Sequence, residues 1–253
     1  ISTSPATGTK MVTSGRVHMN FKSPLTEVYG SANGGGKWGV DFKKNGYDAA
    51  VIRGRAEDPV YVRISPEGVC VHKAGDMAEL DAVALREELR KLYGRRVSVM
   101  SIGEGGRNLC RFASVMVDTG KALGRGGGGA VWGSKNLLAI AVLSEPGVNI
   151  PVARPDAFDP GNEDGAVYHV KMKLDMGKFT KREDMFGILA SMGSLGILGM
   201  VNNYRQLIHN NMKDTGHKLS DVERINGEAL RCHAELAGKK EEKVFVKKSS
   251  CYN

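Results

Sequence analysis

The chain reads as an α+β protein, with a strand-rich N-terminal domain followed by a mainly helical segment. Three observations predict that class. Short apolar and alternating runs separated by glycine turns fill the sequence as far as Glu145. A single amphipathic stretch, Met77–Tyr93, interrupts them at helical spacing. After Ser144–Glu145–Pro146–Gly147 the composition shifts, and apolar residues then recur with helical periodicity.

In order along the chain, Arg16–Phe21 (RVHMNF) alternates polar and apolar residues, as a half-buried strand does. Tyr47–Gly54 (YDAAVIRG) is an apolar run of strand length. Val60–Ser65 and Val69–His72 predict a hairpin across Pro66–Glu67–Gly68. In Met77–Tyr93 the residues Ala82, Leu85, Leu89 and Leu92 share one face, Asp76 is the expected N-cap and Gly94 the stop. Strands are expected at Val97–Ile102 and at Leu137–Leu143, the latter directly behind a glycine-rich loop, with an apolar segment, Phe112–Val117, between them. Helices are expected within Phe186–Ile208 and Asp221–Leu236. The domains are therefore read as 1–147 and 148–253, and no internal repeat is evident.

The 253 residues carry a net charge of +8, which suits an anionic partner. Lysine and arginine are dispersed and aromatics make up 6%, so no nucleic-acid partner is expected. No apolar run is long enough to cross a membrane as a helix. The four cysteines, Cys70, Cys110, Cys232 and Cys251, lie far apart, so a reducing, cytoplasmic setting fits better than a disulfide framework. The six histidines show neither H-x-x-x-H nor H-E-x-x-H spacing, which argues against a zinc site. The opening ISTSPATGTK lacks the layout of a secretory signal, and the chain is expected to be a piece of a longer product.

Two segments concentrate glycine and positive charge. Lys121–Lys135 (KALGRGGGGAVWGSK) contains four consecutive glycines framed by Lys121, Arg125 and Lys135. Ser14–Gly36 repeats the combination with Arg16 and Asn33–Gly34–Gly35–Gly36. Exposed N–H groups inside a cationic frame suit a phosphate; a flexible surface turn is the plainer reading. The pattern is neither G-x-x-x-x-G-K-[ST] nor G-x-G-x-x-G. Asn33 serves as a turn residue on one reading and as an amide oxygen for a hard cation on the other.

The stretches SGRVHMNFKSPLTEVYGSANGGGKWGVDFKKNGYDAAVIRG, RFASVMVDTGKALGRGGGGAVWGSKNLLAIAV and NNMKDTGHKLSDVERINGEAL resemble the aldehyde ferredoxin oxidoreductase family, the tungsten or molybdenum bis-pterin enzymes. The resemblance implies that the strand-rich domain is a base for two pterins whose phosphates converge on one Mg²⁺. It implies Arg16 between pterin and iron–sulfur cluster, and Asn33 (side chain) and Ala122 (backbone oxygen) at the Mg²⁺. Gly34, Gly35, Lys121, Gly124 and Arg125 then match pterin- and phosphate-contacting positions. Lys121 stands where the family often has arginine, keeping the charge and losing the bidentate fork. Cys251, by itself a free thiol near the chain end, becomes the first cysteine of the family's 4Fe-4S motif.

The implied activity is oxidation of a small aldehyde to a carboxylic acid, with electrons passed to ferredoxin or another electron-transfer subunit. The remainder of the same polypeptide is an expected partner, and a homo-oligomer remains open. No proton-transfer residue of the chain matches one of the family. Two alternatives stand beside this reading: a relative running reductive chemistry on aromatic thioesters, and a non-catalytic phosphate- or nucleotide-binding module.

Overall fold

The alternation of Arg16–Lys22 forms strand β2, with Val17 and Met19 buried and Asn20 and Lys22 exposed. It pairs with β3, Tyr29–Gly35, in an antiparallel register that sets Arg16 opposite Gly35 and His18 opposite Asn33. A short strand β1, Ser2–Thr3, adds to the other side of β2. The structure, a computed structural model, describes residues 1–11, 14–118, 120–159, 161–168, 198–205, 208–209, 214–215, 222–224, 229 and 232. They fall into two compact units, Ile1–Val167 and Tyr168–Asn253.

The first unit is built on a six-stranded sheet. The expected hairpin forms β4, Val60–Ser65, and β5, Gly68–Lys73. β6 is Ser98–Ser101, β7 Val115–Val117, β8 Lys121–Leu123 and β9 Leu137–Val142. The order is β5-β4-β9-β6-β7-β8, parallel between β4 and β9 and antiparallel elsewhere. All six residues of β9 are buried, which explains its unbroken apolar sequence: a central strand covered on both faces has no polar side to alternate.

Helix α1, Trp38–Lys44, buries Trp38 and Phe42, whose rings stack at 5.0 Å. The Trp38 indole N–H donates to the Ile140 carbonyl of β9 at 3.0 Å, fixing the helix to the sheet centre. Helix α2 is Ala82–Tyr93, and two four- to six-residue helices, α3 at Glu104–Arg107 and α4 at Gly128–Gly133, belong to the same unit.

Two expectations are corrected. The helix does not start at Met77: Gly75–Glu79 is a 3₁₀ turn, Leu80 is extended, and α2 runs Ala82–Tyr93. Asp81, not Asp76, is the N-cap, accepting the Val83 and Ala84 amides at 2.8 Å each. The Arg107 guanidinium claims the Leu80 and Glu79 carbonyls, holding the chain out of helix there. Leu85 and Leu89 are fully buried, whereas Leu92 is exposed, and Gly94 ends the helix at φ 89° as expected. The run Tyr47–Gly54 forms a single bridge, Ala49 to Ser2, because it meets a two-residue edge strand and Val51 projects into solvent.

The class is α+β with a strand-rich first unit, as the sequence predicts. In the second unit the described residues include a helix at Leu198–Asn203 and a hairpin of Ile208–His209 with Asp214–Thr215. The expected helices within Phe186–Ile208 and Asp221–Leu236 otherwise lie mostly outside the described residues.

Candidate functional site

Antiparallel pairing sorts the β2–β3 hairpin into two faces. Val17, Met19 and Phe21 with Gly30, Ala32 and Gly34 point inward, and Arg16, His18 and Asn20 with Ser31, Asn33 and Gly35 point outward. The outward face is a connected polar surface. Arg16 Nε donates to Asn33 Oδ1 at 2.6 Å, and Asn33 Nδ2 lies 3.3 Å from His18 Nδ1. His18 Nε2 is 3.0 Å from Ser31 Oγ, and Tyr29 donates to Asn20 Oδ1 at 2.6 Å.

The two glycine-and-cation segments, about ninety residues apart in sequence, meet here. At Gly34 a Cβ would stand 3.0 Å from Leu123 Cδ2 and 3.5 Å from the Ala122 carbonyl oxygen. The missing side chain lets β3 lie against β8 and sets Asn33 beside Ala122. Gly36, at φ 123°, packs on Val117, with the Asp118 carboxylate 3.4 Å and the Lys121 side chain 4.0 Å from its Cβ position. A Cβ at Gly35 would stand 3.5 Å from Arg16 Nη1. Lys121 is half-buried, while Ala122, Gly124 and Arg125 are exposed, and nothing lies within 4 Å of a Cβ at Gly124. Arg16, Asn33, Gly34, Gly35, Lys121 and Ala122 therefore cluster. Gly124 and Arg125 continue the second segment toward Gly126, which rests on Phe21. Cys251 lies outside the described residues.

The consecutive glycines do something other than either sequence reading. Gly126 and Gly127 turn the chain through the left-handed region at φ 74° and 82°. Gly127, Gly128 and Gly129 are buried, and a Cβ on Gly129 would come 2.5 Å from the Ser114 carbonyl oxygen. A Cβ on Gly133 would collide with the Gly106 carbonyl oxygen of α3. These glycines permit close helix-on-strand packing, and the exposed backbone belongs to Ala122–Arg125 before them. Ser23 anchors the turn, donating to the Gly126 carbonyl at 2.7 Å while its oxygen accepts the Leu25 and Thr26 amides. Lys135, read as part of the cationic frame, donates instead to the Gly54 carbonyl at 3.1 Å.

Asp118 ties the two segments together from behind. Its Oδ1 accepts the Val99 N–H at 2.9 Å, and Oδ2 is buried. Burial raises its carboxyl above the ordinary aspartate value, opposed by the amides of Val99, Lys37 and Trp38. Lys37 is committed to the fully buried Asp41 at 2.9 Å. Asp41 also accepts hydroxyl hydrogen bonds from Ser98 and Ser144.

The donor set fits a phosphate-bearing group held with a hard cation. Arg16, Lys121 and Arg125 supply positive charge, and the Asn33 amide and Ala122 carbonyl supply neutral oxygens. Among the described residues no group of three or more His, Cys, Asp or Glu could hold a metal. None of the described helices is long and apolar enough to cross a membrane.

Sequence reasoning missed His18, Asn20, Tyr29 and Ser31. The R-x-H-x-N alternation of β2 carried a signal for the first two. The glycines of β3 concealed its strand and hence the register that brings Ser31 and His18 to Asn33.

The model of the aldehyde ferredoxin oxidoreductase N-terminal domain matches residues 1–144. A tungsten-containing aldehyde ferredoxin oxidoreductase of Pyrococcus furiosus is 43% identical over 159 residues, covering 62% of this chain and 26% of that protein. The enzyme of the same description from Thermococcus kodakarensis is 38% identical over 162 residues. An aliphatic sulfonate oxidoreductase, WOR-like subunit, of P. furiosus is 38% identical over 115 residues, 40% of this chain and 18% of that one. Among solved structures, the active-site complex BamBC of benzoyl coenzyme A reductase superposes with a TM-score of 0.61 at 27% identity, over 68% of this chain and 25% of that chain. The chain thus spans about a quarter of the length of the aldehyde ferredoxin oxidoreductases it matches.

Proposed function

The chain belongs to the aldehyde ferredoxin oxidoreductase family, and from that premise we propose that it forms one wall of a tungsten- or molybdenum-bis-pterin site. The observation that carries the reading is the close approach at Gly34. It seats the Gly34 backbone against the Ala122 carbonyl, with Arg16 hydrogen-bonded to Asn33 and the Lys121 side chain beside Gly36.

In this reading Arg16 holds the pterin on the outward face of β2 and couples it to a 4Fe-4S cluster, for which Cys251 is a ligand. Asn33 Oδ1 and the Ala122 carbonyl oxygen would be the oxygens offered to a Mg²⁺ held with the pterin phosphates. Gly34 brings β3 against Ala122, Gly35 and Gly124 leave the backbone open to the ligand, and Lys121 and Arg125 neutralise its phosphates. When bound, the group supplies two-electron redox chemistry at low potential: aldehyde plus water gives carboxylic acid, two protons and two electrons, the electrons leaving through the cluster to ferredoxin or a similar subunit. This chain's own task is binding, orientation and charge compensation, and no residue of it is assigned a proton transfer. The setting proposed is the cytoplasm. The remainder of the polypeptide would supply the opposite wall, and whether a second copy joins it is open.

Substitution tests the site. Arg16→Ala and Asn33→Ala each lower tungsten or molybdenum content of the holoprotein by at least about tenfold, as expected when a charge-assisted contact worth about 1.5–3 kcal/mol is removed. Full metal and pterin content in both variants overturns the assignment.

A second reading, a relative running other low-potential chemistry such as reduction of aromatic thioesters, keeps the site. The partial similarity to the sulfonate oxidoreductase subunit and to the benzoyl coenzyme A reductase complex motivates it and does not favour it over the first. A free-standing nucleotide-binding module is not favoured, because the family match covers the whole strand-rich unit to residue 144.

A further inference from the structure

A guanidinium can only donate hydrogen bonds. Arg16 Nε, 2.6 Å from the Asn33 side chain, therefore requires the amide oxygen on its side. That turns the Asn33 nitrogen toward His18 Nδ1, 3.3 Å away, where an amide N–H needs an acceptor. Nδ1 must then be the bare nitrogen, and the ring proton sits on Nε2, 3.0 Å from Ser31 Oγ. Polarity thus runs one way through four side chains, Ser31–His18–Asn33–Arg16, across the outward face of the hairpin. Turning the amide over would set N–H against N–H at Arg16. Gly35, opposite Arg16, leaves that rung without a second side chain, so the guanidinium leans diagonally onto Asn33.

We propose that His18 is a positioning residue for the bound cofactor, locking the Asn33 amide so that its oxygen faces Arg16 and the cofactor side. The inference rests on the bis-pterin reading above and adds to it a residue that acts through Asn33. Without the acceptor at His18 Nδ1, the Asn33 amide has no partner to hold its nitrogen, and its oxygen is free to rotate away from Arg16. Ser31 fixes the ring tautomer from the far end.

The test separates this relay from the cofactor reading. In the purified chain, free of cofactor, hydrogen exchange of the Arg16 Nε–H is followed by NMR, the signal assigned by its loss in Arg16→Lys. His18→Leu speeds exchange by about fivefold to tenfold, the equivalent of one lost hydrogen bond. His18→Asn, whose amide oxygen reaches the place of Nδ1, restores slow exchange, and Ser31→Ala gives an intermediate rate. In the holoprotein, pterin and metal content fall in His18→Leu and recover in His18→Asn. Slow exchange in both His18→Leu and Ser31→Ala, or fast exchange in His18→Asn, overturns the relay. Altered exchange with full cofactor content in His18→Leu overturns its positioning role. Full cofactor content in Arg16→Ala and Asn33→Ala instead sinks the bis-pterin reading, whatever the exchange rates show.

Discussion

Replacing Gly133 by alanine tests the claim that the glycine run serves packing. Helices α3 and α4 meet through glycines, and a Cβ on Gly133 would stand 1.9 Å from the Gly106 carbonyl oxygen and 2.7 Å from its carbon. Ordinary contact begins at 3.4 Å, so the two helices would have to part by the difference, 1.5 Å. The obstacle is backbone and cannot rotate aside. Gly106 is itself tightly packed, with its Cβ position 2.8 Å from Ile102 Cβ and 3.0 Å from the Gly129 carbonyl oxygen. Overpacking a filled interior costs about 1–3 kcal/mol, and a backbone clash belongs at about 3. Alanine's better helix propensity returns about 1 kcal/mol, leaving a net loss of about 2. For a unit of this size that is a fall in Tm of about 4–8 °C, measured by scanning calorimetry. Gly124→Ala is the control: open space surrounds its Cβ position, and Tm should stay within about 1 °C. Gly133→Ala melting with the wild type, or Gly124→Ala falling as far, refutes the reasoning.

Two further predictions concern the groups behind the site. Ser23→Ala strands the Gly126 carbonyl and the Leu25 and Thr26 amides at a residue 1% exposed, and should cost about 1–3 kcal/mol in urea unfolding. No loss would mean that Ser23 does not anchor the glycine turn. Asp118 has its carboxyl raised by burial above 3.8, so the native state holds that proton more tightly than the unfolded chain. Its contribution to stability therefore falls as pH rises from the unfolded to the folded value. Asp118→Asn keeps an acceptor for Val99 and removes the charge. Its stability should gain on the wild type as pH is raised from about 3 to about 7, and a pH-independent difference refutes the assignment.

Much of the fold was legible because the responsible forces are local. The alternation of Arg16–Phe21, the apolar run Leu137–Leu143 and the hairpin at Pro66–Glu67–Gly68 each carry their period in the sequence. Strand β3 was hidden because glycine has low strand propensity, and here it is tolerated for the close approach of β8. The start of α2 was misread because Asp76 and Asp81 are both competent caps. The choice between them is made by Arg107, a residue far along the chain, which binds the carbonyls of Glu79 and Leu80.

The sequence by itself determined the strand-rich class, the two glycine-and-cation segments and, through the motifs that carry them, the family. Those follow from periodicity, charge and residue type, which a chain carries before it folds. Only the tertiary structure decided that Gly127, Gly128, Gly129 and Gly133 are buried contacts, with the exposed backbone at Ala122–Arg125. It alone set Asn33 beside Ala122 and His18 opposite Asn33. The physical reason is that a glycine looks the same in sequence whether its missing side chain admits a ligand or a neighbouring strand. What fills the space depends on which distant segment the sheet order brings there.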